Sequence, residues 1–121
     1  MDRASVLKLC AQQFGTAPDY PFTDDYETAV LRHADTRKWY AIIMHVPRKV
    51  LGIAGDSRVD ILNVKIDPRI RGSMLLEKGI YPAYHMSKSC WVSVLLDGSV
   101  NEDTVFFLLQ ESYHLTAKKK K

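Results

Sequence analysis

A chain of 121 residues with 46% apolar and 26% charged residues has the size and make-up of one ordinary globular domain, which excludes a disordered chain and allows a core without staples. Four of its 17 cationic residues are Lys118 to Lys121, so residues 1–117 carry 13 Lys plus Arg against 14 Asp plus Glu, a net of −1 that excludes a uniformly basic surface and leaves room only for a local patch. The apolar runs VLRHA, WYAIIMHV and VFFLLQ fall far short of the roughly 20 residues that span a bilayer, and the opening MDRASVLKLCAQQF lacks the hydrophobic stretch and cleavage site of a signal peptide, so the expected location is the cytoplasm.

In chain order, Val6, Leu7, Cys10, Ala11 and Phe14 draw an apolar stripe on a helix over residues 2–14, with Asp2 or Ser5 as its cap and Gly15 as its stop. Residues 16–25, with two prolines and the aromatics Tyr20 and Phe22, read as an irregular connection. Two β-branched, aromatic-rich strands follow, Glu27 to His33 and Trp39 to Val46, and the short turn at Asp35 to Arg37 makes them an antiparallel hairpin. Pro47, Gly52 and Gly55 break the next stretch and leave Lys49 to Ile53 undefined. Val59 to Ile66 is a third strand in which Ile61, Asn63 and Lys65 alternate with Leu62, Val64 and Ile66, which predicts one wet or ligand-facing side.

Asp67 before Pro68 is a helix start, because aspartate accepts from early amides and proline has no donor to lose. That helix runs through Met74 to Glu77 and stops at Gly79, and Pro82 falls in a loop. Cys90 to Leu96 is a further strand, turned by Asp97 and Gly98. Ser99 and Glu102 have capping-box spacing ahead of a last helix whose Val105, Leu108, Leu109 and Ser112 share one side, widened by Phe106, Phe107 and Tyr113.

TrpTyrAla at 39–41, LeuAsnValLysIleAspPro at 62–68, TyrProAlaTyrHisMetSerLys at 81–88 ahead of Trp91, and GluSerTyr at 111–113 together resemble the MmcQ/YjbR family of small bacterial proteins. The resemblance runs from the first helix to Tyr113. It implies an α+β fold of the CyaY-like type shared with bacterial frataxin homologues, described for the family as a double wing: an antiparallel sheet covered by helices, in the order helix-strand-strand-strand-helix-strand-helix. It implies one YjbR-like domain over residues 1–117 with a lysine-rich tail at 118–121, and a DNA-binding label that rests on fold analogy. The family pattern has histidine just before the tryptophan; Cys90 stands there in this chain. Frataxin's iron chemistry does not carry over, because the first helix offers only Asp2 as an acid.

The segment leading to Trp91 is the leading candidate surface. His85 can exchange a proton or donate to phosphate, Lys88 supplies a point charge, and Tyr84 and Trp91 offer rings for stacking; the structural alternative is a loop fastened to a strand with Trp91 in the core. Lys65 beside Asn63 is a candidate anion contact, or else a surface partner of Asp60, Asp67 or Glu77. Arg69 and Arg71 extend the patch, although two-residue spacing does not align them on one helical face. Arg32, Arg37, Lys38, Arg48, Lys49 and Arg58 either line a wing that touches phosphates or form a mixed surface with Asp35, Asp56 and Asp60.

Cys10 and Cys90 lie 80 positions apart and read as free thiols, Cys10 partly buried. The four histidines form no metal motif, GlyIleAlaGly at 52–55 is no phosphate loop, and no cofactor is expected. The leading reading is a monomeric, non-enzymatic module that binds DNA or another nucleic acid weakly through phosphates, with no membrane role. The alternatives are an adaptor for a small molecule or a protein, using an apolar surface near Tyr81, Tyr84 and Trp91, and an enzyme with only His85, Tyr84, Lys88 and Cys90 as raw material.

Overall fold

The computed structural model describes residues 1–118, so Lys119 to Lys121 of the expected tail lie outside the described residues. Helix α1 spans Arg3–Phe14; the Asp2 carboxylate accepts from the Ser5 amide at 2.9 Å, and Gly15, at φ 64°, ends the helix in the left-handed conformation. Val6 and Cys10 are its buried residues, while Ala11 of the expected stripe is exposed. Strands β1, Ala29–Arg32, and β2, Trp39–Pro47, form the expected hairpin, with the first strand shorter than the sequence suggests. The undefined stretch is a 3-10 turn at Arg48–Leu51. Strand β3, Arg58–Lys65, leads to α2, Pro68–Met74, where Asp67 accepts from the Arg69 amide at 2.9 Å. Helix α2 stops three residues earlier than expected. A short strand β4, Ile80–Pro82, follows where a loop is expected, then β5, Trp91–Leu95, and α3, Glu102–Thr116.

All neighbouring strands are antiparallel in the order β1-β2-β3-β5-β4. Proline is tolerated in β4 because it ends an edge strand. The α3 cap is Asn101, which accepts from the Asp103 amide at 2.8 Å, and not Ser99; the Ser99 amide instead donates to Asp97 at 2.9 Å, so Ser99 belongs to the preceding turn. No helix among the described residues is long and apolar enough to cross a membrane.

The β1–β2 register slips by one residue between Leu31 and Arg32. Tyr40 and Ala41 consequently both lie in the helix-side core, while Trp39 and Ile42 both pack on the other face. Tyr40 reaches Phe14 of α1 and Tyr113 of α3, with ring centroids 5.6 and 5.0 Å away, and its hydroxyl pairs with that of Thr16. The β2–β3 ladder begins only at Ala41 and Val64. Beyond it, buried Ser112 of α3 donates to the Tyr40 carbonyl at 2.5 Å and accepts from the Lys65 amide at 2.8 Å. One helix hydroxyl thus stands in for the missing strand rung, and it is the middle residue of GluSerTyr.

Helices α1 and α3 cover one sheet face, where Leu62, Val64, Val92 and Val94 meet Val105, Leu108 and Leu109. The opposite face is not wet. The connection after β2 folds Val50, Leu51 and Ile53 onto Val46, Val59, Ile61 and Leu95. The loop between β4 and β5 brings Ala83 and Met86 over Val30, Ile42 and Trp91. Asn63, expected to be exposed, is fully buried beneath that loop.

Candidate functional site

Asn63 of β3 and Ser93 of β5 are rung partners, and together they hold the backbone of Tyr84. The Asn63 amide donates to the Tyr84 carbonyl at 2.9 Å, the Tyr84 amide donates to Ser93 Oγ at 3.0 Å, and Ser93 donates to Asn63 Oδ1 at 2.5 Å. Asn63 also approaches Met44 Sδ at 3.8 Å, so its polar groups are used inside the fold. Lys88 Nζ donates to the Ala83 carbonyl at 2.6 Å and closes the loop on itself. The loop is therefore a stapled cover for the open sheet face.

Within this cover Trp91 is only 9% exposed, packed with Val30, Ile42 and Ala83, and so offers no free ring face for stacking. Tyr84 is half-buried. His85 is exposed at φ 60°, a conformation uncommon for a side-chain-bearing residue, with its ring edge-on to Tyr84 at 3.9 Å. Lys65, the rung partner of Trp91, is half-buried and forms none of the expected ion pairs with Asp60, Asp67 or Glu77. Arg69 grips Asp67 through both Nε and Nη2, the shortest contact being 2.7 Å. Arg71 is half-buried, and its Nε has no hydrogen-bond partner. Ile70 and Met74 of α2 and Leu75 at its C-terminal end pack into the helix-side core, whereas Tyr84 to Trp91 cover the other face. The seven residues singled out by sequence thus divide between two regions.

A more concentrated charge lies at the β2–β3 connection. Its apolar residues turn inward, and this leaves Arg48, Lys49, Asp56 and Arg58 around one concavity of about 440 Å³ with Pro47 and Gly55. Arg48 Nε donates to Ser57 Oγ at 2.9 Å, and Arg58 Nη2 donates to the His45 carbonyl at 2.6 Å. These neutral partners orient the guanidiniums without cancelling their charge. Among the described residues, none of the three cations forms an ion pair. Asp97 also feels Arg48: its carboxyl is lowered first by its hydrogen bond to Ser99 and to a lesser degree by that charge. The sequence shows these cations as a scattered set, and only the inward fold of Val50, Leu51 and Ile53 makes three of them converge.

A third cluster joins α1 to the sheet. Asp60 accepts from Arg3 Nη2 and His45 Nδ1, each at 3.0 Å, beside Tyr20, Tyr26 and Glu27 in an open cleft of about 390 Å³. Burial pushes the Asp60 carboxyl up, but the hydrogen bonds from Arg3 and His45 outweigh it and hold the group below its usual value. By sharing the Asp60 carboxylate, Arg3 and His45 tie α1 to β2 and β3. Among the described residues, no three His, Cys, Asp or Glu side chains group as metal ligands.

The family model described as YjbR matches residues 11–115. The Bacillus subtilis (strain 168) protein YyaQ, itself described as uncharacterized, is 37% identical over 116 residues, covering 96% of this chain and 98% of YyaQ. A crystal structure of a Pseudomonas syringae protein superimposes with a TM-score of 0.94 at 39% identity, covering 97% of this chain and all of that one. The Deinococcus radiodurans protein DR2400 gives a TM-score of 0.72 at 28% identity, covering 98% of this chain and 80% of that one.

Proposed function

The chain belongs to the YjbR family, and from that premise we propose that it is a non-enzymatic binding module that holds nucleic acid, DNA in the first instance, weakly through backbone phosphates. The observation that carries this reading is the convergence of Arg48, Lys49 and Arg58, with Asp56 as the one acid, around a single concavity. A phosphate needs several donors and a local excess of positive charge, and both are available there. Lys65 and Arg71 remain supplementary contacts. Arg69, Lys88, Tyr84, His85 and Trp91 contribute less, since Arg69 and Lys88 are already engaged and Trp91 is buried.

Residues 1–117 carry a net charge of −1, which keeps the affinity modest. Three phosphate contacts to duplex DNA predict a slope of about −2.7 for log K against log salt, a loss of roughly 40-fold between 50 and 200 mM. The test is fluorescence anisotropy with labelled duplex and single-stranded DNA, on a chain whose Lys118 to Lys121 are replaced by serine. Binding that weakens with salt and falls on combining Arg48→Gln, Lys49→Gln and Arg58→Gln supports the proposal. Salt-independent binding, or binding that this triple variant leaves unchanged, would sink it.

A further inference from the structure

Two recesses adjoin along the β2–β3 hairpin. Pro47 and Arg58 are rung partners and line the cationic concavity; two residues further in, His45 and Asp60 are rung partners and line the open cleft of about 390 Å³. Alternate residues share a sheet face, and the next such rung, Ile43 with Leu62, lies in the helix-side core, so both rungs project to the helix side. Same-face rungs are about 7 Å apart along a strand, and Arg58 leans across that gap to donate through Nη2 to the His45 carbonyl at 2.6 Å. We propose that the two recesses form one site for single-stranded nucleic acid, with a backbone phosphate in the concavity and the adjacent base stacked on Tyr20 or Tyr26 in the cleft. This rests on the phosphate reading above and adds the strand state of the partner.

The rings are the first reason. Tyr26 is 82% exposed and Tyr20 44% exposed, and both border the cleft. Among the described residues neither pairs with another aromatic ring, whereas Phe22 of the same connection packs edge to face on Trp39. The fold thus leaves two large ring faces open to water beside a phosphate seat. A base covers such a face whatever its sequence, because every base has a π-face.

Charge is the second. In the cleft Arg3 and His45 share the Asp60 carboxylate, and Glu27 adds an acid that forms no ion pair among the described residues. A phosphate is disfavoured there and finds its seat in the concavity, where Arg48, Lys49 and Arg58 outnumber Asp56. The cleft therefore suits the uncharged part of a nucleotide. A cationic seat next to an aromatic one matches the repeat of phosphate and base along a strand.

The third is reach. In a duplex the base faces are stacked on one another, so a tyrosine on the protein surface meets sugar, phosphate and groove edges only. An unpaired strand can splay a base out and lay its face on the ring.

The experiment is fluorescence anisotropy on the full chain with three labelled probes: a DNA strand of about twelve nucleotides, the same strand made abasic throughout, and the matching duplex. The first two carry the same phosphates, so contacts from Lys118 to Lys121 cancel between them. The strand should bind about 10-fold more tightly than its abasic form, the effect of one stacked base. Tyr26→Ala should remove that advantage and leave the abasic strand and the duplex unchanged, Tyr26→Phe should keep it, and Tyr20→Ala should reduce it. Tyr26 is exposed enough for its substitutions to leave the fold intact. Equal binding of the strand and its abasic form, a Tyr26→Ala loss as large for the duplex as for the strand, or loss of the advantage in Tyr26→Phe would each overturn the proposal. In those cases the phosphate reading still stands if combining Arg48→Gln, Lys49→Gln and Arg58→Gln weakens all three probes. If that triple variant weakens none of them, the phosphate reading falls and this inference falls with it.

Discussion

Ser112→Ala is the sharpest test of how the helix layer is joined to the sheet. The substitution removes one hydroxyl and strands two backbone groups, the Tyr40 carbonyl and the Lys65 amide, at the point where the β2–β3 ladder has not yet begun. Each stranded group costs about 1–3 kcal/mol. The Lys65 amide is only partly buried and falls at the low end, and alanine returns about 0.5 kcal/mol of helix propensity. The net expectation is a loss of about 3 kcal/mol. With a urea m-value of about 2 kcal/mol/M, the unfolding midpoint should drop by roughly 1.5 M at unchanged m. Hydrogen exchange at the Lys65 amide should accelerate, and Ser112→Cys, a weaker donor of similar shape, should fall between serine and alanine. A loss below about 1 kcal/mol with Lys65 exchange unchanged would show that the hydroxyl is not acting as the missing rung.

Other outcomes follow from the same structure. Burial holds the His33 imidazole below its usual pKa while its Nε2 lies 2.8 Å from Thr116 Oγ1, so the unfolded chain binds the proton more readily. Stability from the neutral imidazole is present above the unfolded value of 6.5 and is lost as pH falls through the lowered folded value; His33→Gln should flatten that part of the urea midpoint-against-pH curve. The Cys10 thiol is fully buried and pushed up to about 11 by burial, whereas Cys90 is partly exposed, so a thiol reagent at pH 8 should label Cys90 quickly and reach Cys10 only at the rate of unfolding. Gly79→Ala should destabilise by more than about 1 kcal/mol in the same denaturation assay, because φ is 89° and the new Cβ would lie 2.6 Å from Val100 Cγ2.

Local signals in the sequence carried much of the element order. Asp2 and Gly15 bound α1, Asp67-Pro68 starts α2, and the spacing of Val105, Leu108, Leu109 and Ser112 identifies the buried side of α3, because caps and periodicity act within a few residues. The residues resembling the family pointed to an antiparallel sheet covered by helices, and the sheet order and superposition agree with that architecture. Strand β4 was not legible, since three residues ending in proline make no pattern until β5 pairs with them. Nor was the burial of Asn63: alternation along β3 tells which residues share a face, but a loop arriving from residues 83–90 decides that this face is covered. The register slip that turns Tyr40 into the helix-side core, the use of Ser112 as its rung, and the gathering of Arg48, Lys49 and Arg58 all depend on segments brought together in space. Sequence by itself determined the local conformational preferences and the inventory of charges. Tertiary structure decided which polar groups satisfy one another and which remain available, because hydrogen bonds and burial join residues that sequence spacing leaves far apart.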